Sequence, residues 1–452
     1  MVEDHPLSWG QQGIYSTIQA LGEGSGYLNI TRVIAVPDGP STAELIAAIT
    51  AVVTEHESLR TLIRTGPDGP RQLLADATRF EVVTVAADGP EQARQRAGSV
   101  AAQVKALAFD HAVELPLRCR VVTAAGLPRF VVLVVSHLAV DALGADVLVA
   151  ELRRRLDPGA PATEPAWQPR QQADYEQGPT ARAVSEHAIG RWRETVQALP
   201  AGATVPAATA PRRPDRFVEL CLTSARAAVA IAELAGRTKA SPASVVLAAG
   251  CLALGMLDGR PVAAMTLISG NRHRARERRY VGPLVQDALF VQHWADEPFD
   301  SFAEQVQRSA LAAYSTGRYC PADLRAAVAD LAAPVNPTAK ALDFFNDARA
   351  GSGIGLVSNP DLGRQADSTP YRTGCWPQLD LRRFFVYQQL PGSCRLRLIA
   401  DTEQAGEQVI AGVLQGIEDV LLRAAAGEPS TGQLTTVLAQ AAGRQAVPTG
   451  QR

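Results

Sequence analysis

The stretch VVLVVSHLAVDALGADVLVAEL, residues 131–152, is the part of the sequence around which the fold is expected to form. Its first five residues are β-branched or leucine and predict a buried strand, whereas from Asp141 the apolar residues recur at helical spacing. The strand therefore leads through His137 to a turn that opens into a helix. Loops at such junctions often carry functional residues, because they are exposed yet held by rigid elements. The spacing His137-x-x-x-Asp141 is the first candidate site.

Each residue of this pair also has a purely structural interpretation. A histidine that ends an apolar strand is commonly a packing residue, and an aspartate in the first turn of a helix is most simply an N-cap. These interpretations weaken only when the flanking sequence is considered.

Length and composition limit the classes of function. A chain of 452 residues exceeds the usual size of one domain, so two domains are expected. The net charge of -2 and the pI near 6.4 leave no basic excess that would favour nucleic acid or an anionic membrane. The start MVEDHPLSWGQQ lacks a signal-peptide pattern, and no apolar run approaches the roughly 20 residues of a spanning helix. A cytoplasmic monomer is expected.

Several kinds of site are not indicated by the sequence. The six cysteines are scattered without a C-x-x-C pair, which predicts neither a metal site nor a disulfide framework. A P-loop and a G-x-G-x-x-G turn after a strand are also missing, so the simplest nucleotide-binding interpretations are removed. No serine or cysteine stands beside a base in an obvious dyad.

The order of elements predicts an α+β fold, an α/β two-layer sandwich in which helices pack on mostly antiparallel sheet. Helix starts are marked at Ser8, at the capping box Ser41-Thr-Ala-Glu44 and at Ser241-Pro242. The Pro-rich segment 157–172 is the best linker, and a second loop is expected over 201–214. The expected division is an N-terminal lobe over 1–173, a C-terminal lobe over 174–430 and a loosely ordered tail over 431–452.

Six segments, taken in order, resemble the motifs of the condensation domains of nonribosomal peptide synthetases and, more distantly, of chloramphenicol acetyltransferase-like acyltransferases. SHLAVDA at 136–142 is similar to the family's active-site motif H-H-x-x-x-D-G. The other five are LSWGQQGIY at 7–15, YLNI at 27–30, EHESLRT at 55–61, FDHAVELPLR at 109–118 and SGNRHRARERRYVGPLVQDAL at 269–289. The fourth resembles F-D-L-x-x-x-P-L-x-R, and the last resembles the (S/A)-(G/N)-R-x-x-x-E…V-G-x-F-V-N-T-L region.

The resemblance implies two chloramphenicol acetyltransferase-like lobes that form a V with a central tunnel. It also implies a free-standing condensation enzyme, which joins an acyl or aminoacyl thioester on a carrier protein to an amine or hydroxyl acceptor. Acyl or peptidyl carrier proteins would be its partners. Their phosphopantetheine arm would carry the substrate, and no tightly bound cofactor would be needed.

Within that family His137 is expected to position and deprotonate the nucleophile, a task that suits neutral imidazole. Asp141 is expected to shape the loop by pairing with an arginine. Arg272 is the first candidate, because it matches the arginine of the family motif, and Arg60 is the second.

This sequence departs from the family pattern at the active-site motif. Ser136 stands in place of the first motif histidine and Ala142 in place of the glycine, which a negative φ would permit. Such changes are also typical of domains of this fold that have lost catalysis and recruit a tailoring enzyme or carrier protein. An O-acyltransferase is a further alternative. The arginines of 269–280 form either a solvated basic loop or part of a ligand-facing site.

Overall fold

A computed structural model of the chain describes residues 4–67, 69–157, 159–160, 166–199, 213–329, 331, 342–348, 368–379 and 381–443. These residues form two compact units. Unit 1 contains the described part of Met1–Ala183 together with Gly270–Gln286, and unit 2 contains the remaining described residues. The expected lobe boundary at 173/174 falls inside a helix, whereas the units divide at Ala183/Val184.

The described residues contain fourteen strands and thirteen helices, besides three short 3₁₀ helices. The strands are β1 (Asp4–Pro6), β2 (Ile30–Ala35), β3 (Thr61–Gly66), β4 (Gly69–Leu74), β5 (Val82–Ala87), β6 (Leu117–Ala124), β7 (Leu127–Val135), β8 (Phe217–Ser224), β9 (Val262–Ser269), β10 (Gln286–His293), β11 (Asp343–Asp347), β12 (Tyr371–Trp376), β13 (Arg383–Leu390) and β14 (Ser393–Asp401). The helices are α1 (Trp9–Leu21), α2 (Thr42–Glu55), α3 (Pro90–Lys105), α4 (Ala142–Arg155), α5 (Pro169–Gln177), α6 (Pro179–Gln197), α7 (Ala225–Arg237), α8 (Pro242–Asp258), α9 (Ala275–Arg278), α10 (Phe299–Tyr314), α11 (Pro321–Val328), α12 (Glu407–Ala426) and α13 (Thr431–Ala441).

Strand β7 is the centre of unit 1. It pairs antiparallel with β2 and with β6 in a four-stranded sheet of order β2–β7–β6–β5. Its alternate residues Val131, Leu133 and Val135 join a core with α2 and α4, while Val132 and Val134 join a separate core with α3. Because helices cover both faces of the strand, its sequence is continuously apolar rather than alternating.

Unit 2 is built on a seven-stranded sheet of order β10–β9–β11–β13–β14–β8–β12. Helix α8 is buried from Ala243 to Met256 and packs with α7, α12 and α13 in the largest core cluster of the described residues. No single helix among the described residues is long and apolar enough to cross a membrane, and only the pair α7 and α8, bent by 108°, passes that test jointly.

Local signals placed most elements correctly. The predicted caps at Ser8, Ser41 and Ser241 are all present, and Ser8 and Ser41 form complete capping boxes with Gln11 and Glu44. Strand β2 begins only at Ile30, because Gly22–Leu28 is a 3₁₀ helix, and β10 begins at Gln286.

The loosely ordered tail predicted from residue 431 is wrong for the described part, where Thr431–Ala441 forms α13. Residues 444–452 lie outside the described residues. A Cβ at Gly412 would lie 2.1 Å from the Ala441 carbonyl oxygen, so α13 approaches α12 closely across a glycine. This packing depends on a contact between residues that are distant in the sequence, which the sequence of α13 alone does not predict.

The predicted linker over 157–172 is also shorter than expected, because Pro169 begins α5. Proline is well suited to the first position of a helix, so Pro169 starts α5 instead of extending the linker. Residues 158 and 161–165 of this segment lie outside the described residues, as do residues 201–212 of the predicted loop.

Helix α1 contains two glycines, of which one is closely packed and the other is not. A Cβ at Gly10 would lie 2.2 Å from the Pro283 carbonyl oxygen, whereas a Cβ at Gly13 would have no neighbour within 4 Å. We expect Gly13→Ala to stabilise unit 1 by up to about 1 kcal/mol through helix propensity. Gly10→Ala should instead destabilise it by about 1–3 kcal/mol, since the Pro283 backbone must move. Urea unfolding of both variants measures this difference, and equal midpoints would show that the Pro283 contact does not form.

Candidate active site

His137 lies in the turn between β7 and α4 and is half-buried. Its Nδ1 lies 2.8 Å from the carbonyl oxygen of Val140. A carbonyl can only accept, so Nδ1 carries the proton and donates it. In the neutral ring Nε2 is then unprotonated and free to accept a proton. The turn thus selects the tautomer that a base acting through Nε2 requires.

Asp141 caps α4 and also holds a distant segment of unit 1. Its Oδ1 accepts from the Gly144 amide at 2.7 Å and from Arg272 Nη2 at 2.6 Å. Its Oδ2 accepts from the Leu284 amide at 2.9 Å. Asp141 is 3% exposed, and both of its oxygens are occupied. Its geometry is that of a structural anchor, which leaves little room for contact with a substrate.

The predicted ion pair between Asp141 and Arg272 is present, and the alternative partner Arg60 donates instead to the Ala75 carbonyl. The Arg272 guanidinium organises the chain that follows it. Nη1 donates to the carbonyl oxygens of Glu277 and Tyr280, each at 2.7 Å, and Nη2 donates to that of Gly282 at 3.0 Å. One cation therefore folds the segment 270–286 and fastens it to the start of α4.

Ala142 is the first residue of α4 and is exposed. It is not among the described non-glycine residues with positive φ, so the change from glycine is accommodated without strain. Its carbonyl oxygen accepts from Arg32 Nη2 at 2.9 Å.

The sequence predicts that the arginines of 269–280 form either a solvated basic loop or part of a ligand-facing site. Arg272 is buried in the ion pair described above. Arg274 lies over the Tyr175 ring at 4.6 Å, and Arg276 lies over the rings of Trp167 and Tyr175 at 4.4 and 4.3 Å. Such stacking of a guanidinium on an aromatic face is stabilising. These three arginines therefore pack within unit 1.

The sequence analysis did not single out His111, whose Nε2 lies 2.7 Å from Ser136 Oγ. Ser136 does stand beside a base, contrary to the expectation that no serine would. The hydroxyl is nevertheless not available as a nucleophile, because Ser136 is 1% exposed. One signal was present in the sequence: FDHAVELPLR carries histidine where the resembling motif F-D-L-x-x-x-P-L-x-R has leucine.

His111 also lines a cavity of about 870 Å³ in unit 1. Its walls come from α1, from the β3–β4 hairpin and from residues 108–112. The lining residues are both polar and apolar, and the apolar ones include Ile18, Leu62 and Phe109. Burial lowers the pKa of His111, partly offset by the nearby carboxylates of Glu114 and Asp110, so the ring is neutral at pH 7.

The chain is similar to known proteins in both sequence and fold. Residues 1–330 match the model of the condensation domain family. The isonitrile lipopeptide synthase of Mycobacterium tuberculosis is 28% identical over 328 residues, which cover 68% of this chain and 13% of that protein. The chain thus spans a small fraction of the length of this curated relative.

Solved structures with the same fold include the SgcC5 protein of Streptomyces globisporus, with a TM-score of 0.71 and 18% identity over 93% of this chain and 98% of that one. The starter condensation domain of rhizomide synthetase, solved with C8-CoA and Leu-SNAC, has a TM-score of 0.73 and 15% identity over 94% and 96% of the two chains. These matches confirm the predicted α+β class and the chloramphenicol acetyltransferase-like fold.

Proposed function

Because the chain belongs to the condensation domain family of nonribosomal peptide-type biosynthesis, we propose that it joins a carrier-bound acyl or aminoacyl thioester to an amine or hydroxyl acceptor. The observation that carries the proposal is the hydrogen bond from His137 Nδ1 to the Val140 carbonyl, which leaves Nε2 as a proton acceptor on a half-buried ring. Acyl or peptidyl carrier proteins are the proposed partners, and their phosphopantetheine arm bears the donor.

The proposed transfer needs no covalent acyl-enzyme intermediate. The acceptor nitrogen or oxygen attacks the thioester carbonyl carbon, a C–N or C–O bond forms and the C–S bond breaks. The proton of the nucleophile passes to His137 Nε2 and then to the departing thiolate. General-base assistance of this kind contributes about 10²–10⁴-fold to a rate. Alignment of the two reactants lowers the barrier further, because near-attack geometry removes translational and rotational freedom beforehand.

The other motif residues support His137 from outside the reacting atoms. Asp141 and Arg272 hold the start of α4 and the segment 270–286 together. Ser136 and Ala142 occupy the two altered motif positions. Ser136 is buried and hydrogen-bonded, and Ala142 is an unstrained residue at the start of α4. None of the four needs to touch substrate for this mechanism.

A second candidate is a catalytically inactive domain that recruits a tailoring enzyme or a carrier protein. The observation favouring it is the loss of the first motif histidine at Ser136. The hydrogen bond from His137 Nδ1 to the Val140 carbonyl favours catalysis instead, because a domain that only recruits partners does not need a selected imidazole tautomer. An O-acyltransferase acting on coenzyme A or carrier thioesters would use the same base with a hydroxyl acceptor.

The test incubates the wild-type protein with an aminoacyl-loaded carrier supplied as a separate protein, together with a panel of amines and alcohols. Product is measured by mass, and the matched controls are the unloaded carrier and the corresponding acyl-coenzyme A. We expect product that depends on the loaded carrier. Carrier binding with no product from any acceptor would contradict the proposal and support the recruitment platform, and product from acyl-coenzyme A alone would support the O-acyltransferase.

A further inference from the structure

We propose that His111 is a positioning residue for His137 and acts through Ser136. The inference rests on the proposed function, because it names a further residue of that site. Its basis is a series of hydrogen bonds, joined by the backbone of Ser136 and Val140, that connects the imidazole of His111 to that of His137 within unit 1. None of the residues between the two histidines is required to contact substrate.

The first link places Ser136 beside His111. Residues Leu117 and Val135 are paired in the β6–β7 hairpin, so the chain entering β6 lies next to the chain leaving β7. The Ser136 amide donates to the Pro116 carbonyl at 2.9 Å, and His111 Nε2 lies 2.7 Å from Ser136 Oγ. His111 is itself fixed by its carbonyl oxygen, which accepts from the Ile63 amide at 2.7 Å.

The second link runs from Ser136 into the turn that carries His137. Ser136 Oγ accepts from the Leu138 amide at 3.2 Å. The Ser136 carbonyl oxygen accepts from the amides of Ala139 and Val140 at 2.9 and 3.3 Å. Three consecutive amides of the turn are therefore held by one serine. The Val140 carbonyl, at the far end of this turn, is the group that accepts from His137 Nδ1.

The donors and acceptors in this series indicate where its protons lie. Burial keeps the His111 ring neutral, so one of its nitrogens is an acceptor. If Nε2 accepts from the Ser136 hydroxyl, the serine oxygen remains free to accept from the Leu138 amide. With the opposite tautomer, the serine oxygen would accept both from His111 and from the Leu138 amide, and its own hydrogen would have no acceptor among the described residues. The series is thus Leu138 N–H to Ser136 Oγ, and Ser136 O–H to His111 Nε2.

Without the His111 acceptor, the Ser136 side chain can leave the rotamer in which its Oγ accepts from the Leu138 amide. The turn then loses one of its three fixed amides and can relax together with the Val140 carbonyl. A displacement of about 1 Å at reacting groups can cost about 100-fold in rate. The site should lose rate rather than substrate affinity, since the altered group positions a base and binds no substrate itself.

The test compares His111→Leu and Ser136→Ala with the wild type. We expect kcat to fall tenfold to a hundredfold in both variants, with KM for the acceptor unchanged within about twofold. His111 borders the cavity, so leucine can be accommodated there without displacing a packed neighbour. A wild-type kcat in His111→Leu would overturn the proposal.

The matched control is Ser185→Ala in unit 2. Ser185 is 2% exposed, and its Oγ accepts from the Cys320 amide at 2.8 Å, so the same hydroxyl is removed from a similarly buried backbone contact. We expect its kcat to equal that of the wild type. A loss of kcat in Ser185→Ala equal to that in Ser136→Ala would show a general effect of lost packing and would overturn the positioning role.

A spectroscopic measurement separates positioning from stability. The ¹⁵N shifts of the His137 ring should report an Nδ1–H tautomer in the wild type and a mixture of tautomers in His111→Leu. Unchanged His137 shifts in a variant that has lost kcat would contradict the inference.

The double variant His111→Leu with Ser136→His restores the residue types of the resembling motifs at both positions. We expect its kcat to exceed that of either single variant His111→Leu or Ser136→His, because the buried site again contains one imidazole. A double variant no better than the worse single variant would overturn the inference. If the wild type itself forms no product with any donor, the proposed function has failed, whereas an active wild type with an equally active His111→Leu rejects only the role of His111.

Discussion

Asp141→Asn should lower the free energy of unfolding by about 3–5 kcal/mol, because breaking a buried ion pair leaves its other charge uncompensated. The Asp141 and Arg272 side chains are only 5% and 8% exposed, and the guanidinium is 2.6 Å from the carboxylate. Asparagine keeps the shape of the side chain but removes the charge that balances Arg272. The segment 270–286 should therefore detach from the start of α4 more easily. Thermal and chemical unfolding measure the loss.

Asp38→Asn is the matched control for this prediction. Asp38 also lies in unit 1 and pairs with an arginine, Arg129, at 2.9 Å, but its side chain is 94% exposed. A solvent-exposed pair contributes about 0–1 kcal/mol, so the control should lose far less stability than Asp141→Asn. At a temperature where both variants are folded, Asp141→Asn should retain measurable condensation. A wild-type melting temperature combined with lost activity would count against the structural role of Asp141.

The elements that sequence reasoning placed well depend on local chemistry. The capping boxes at Ser8 and Ser41 each comprise four consecutive residues. The apolar run of β7 is continuous because helices pack on both faces of the strand. The elements it missed depend on distant contacts. Helix α13 is held against α12 across Gly412, and nothing in its own periodicity predicts that approach.

The candidate site shows the same division. Asp141 was predicted as an N-cap from its position alone, and its side chain does accept from Gly144. Its partner Arg272 is 131 positions away and could be named only because a family motif was recognised. His111 reaches Ser136 through the register of the β6–β7 hairpin, which pairs Leu117 with Val135. The register of this hairpin is set by tertiary packing, so the sequence alone did not predict the contact between His111 and Ser136.

The largest effect is expected for His137→Ala, which should reduce kcat by about 10²–10⁴-fold. The change removes the Nε2 acceptor while leaving the backbone of the turn intact, because Ser136 alone holds the three amides that shape it. Binding of donor and acceptor should persist, so KM should change little. The control is His187→Ala on α6, where the histidine is exposed and lies in unit 2.

One measurement tests the base role of His137 most directly. Wild type and His137→Ala are each mixed in excess with an aminoacyl-loaded carrier and a reactive acceptor, and the single-turnover rate of product formation is followed by mass spectrometry. The wild type should consume the donor at least about 100-fold faster than His137→Ala, with both proteins melting at the same temperature. Equal single-turnover rates would contradict the account, because the imidazole presented by this turn would then take no part in forming the bond.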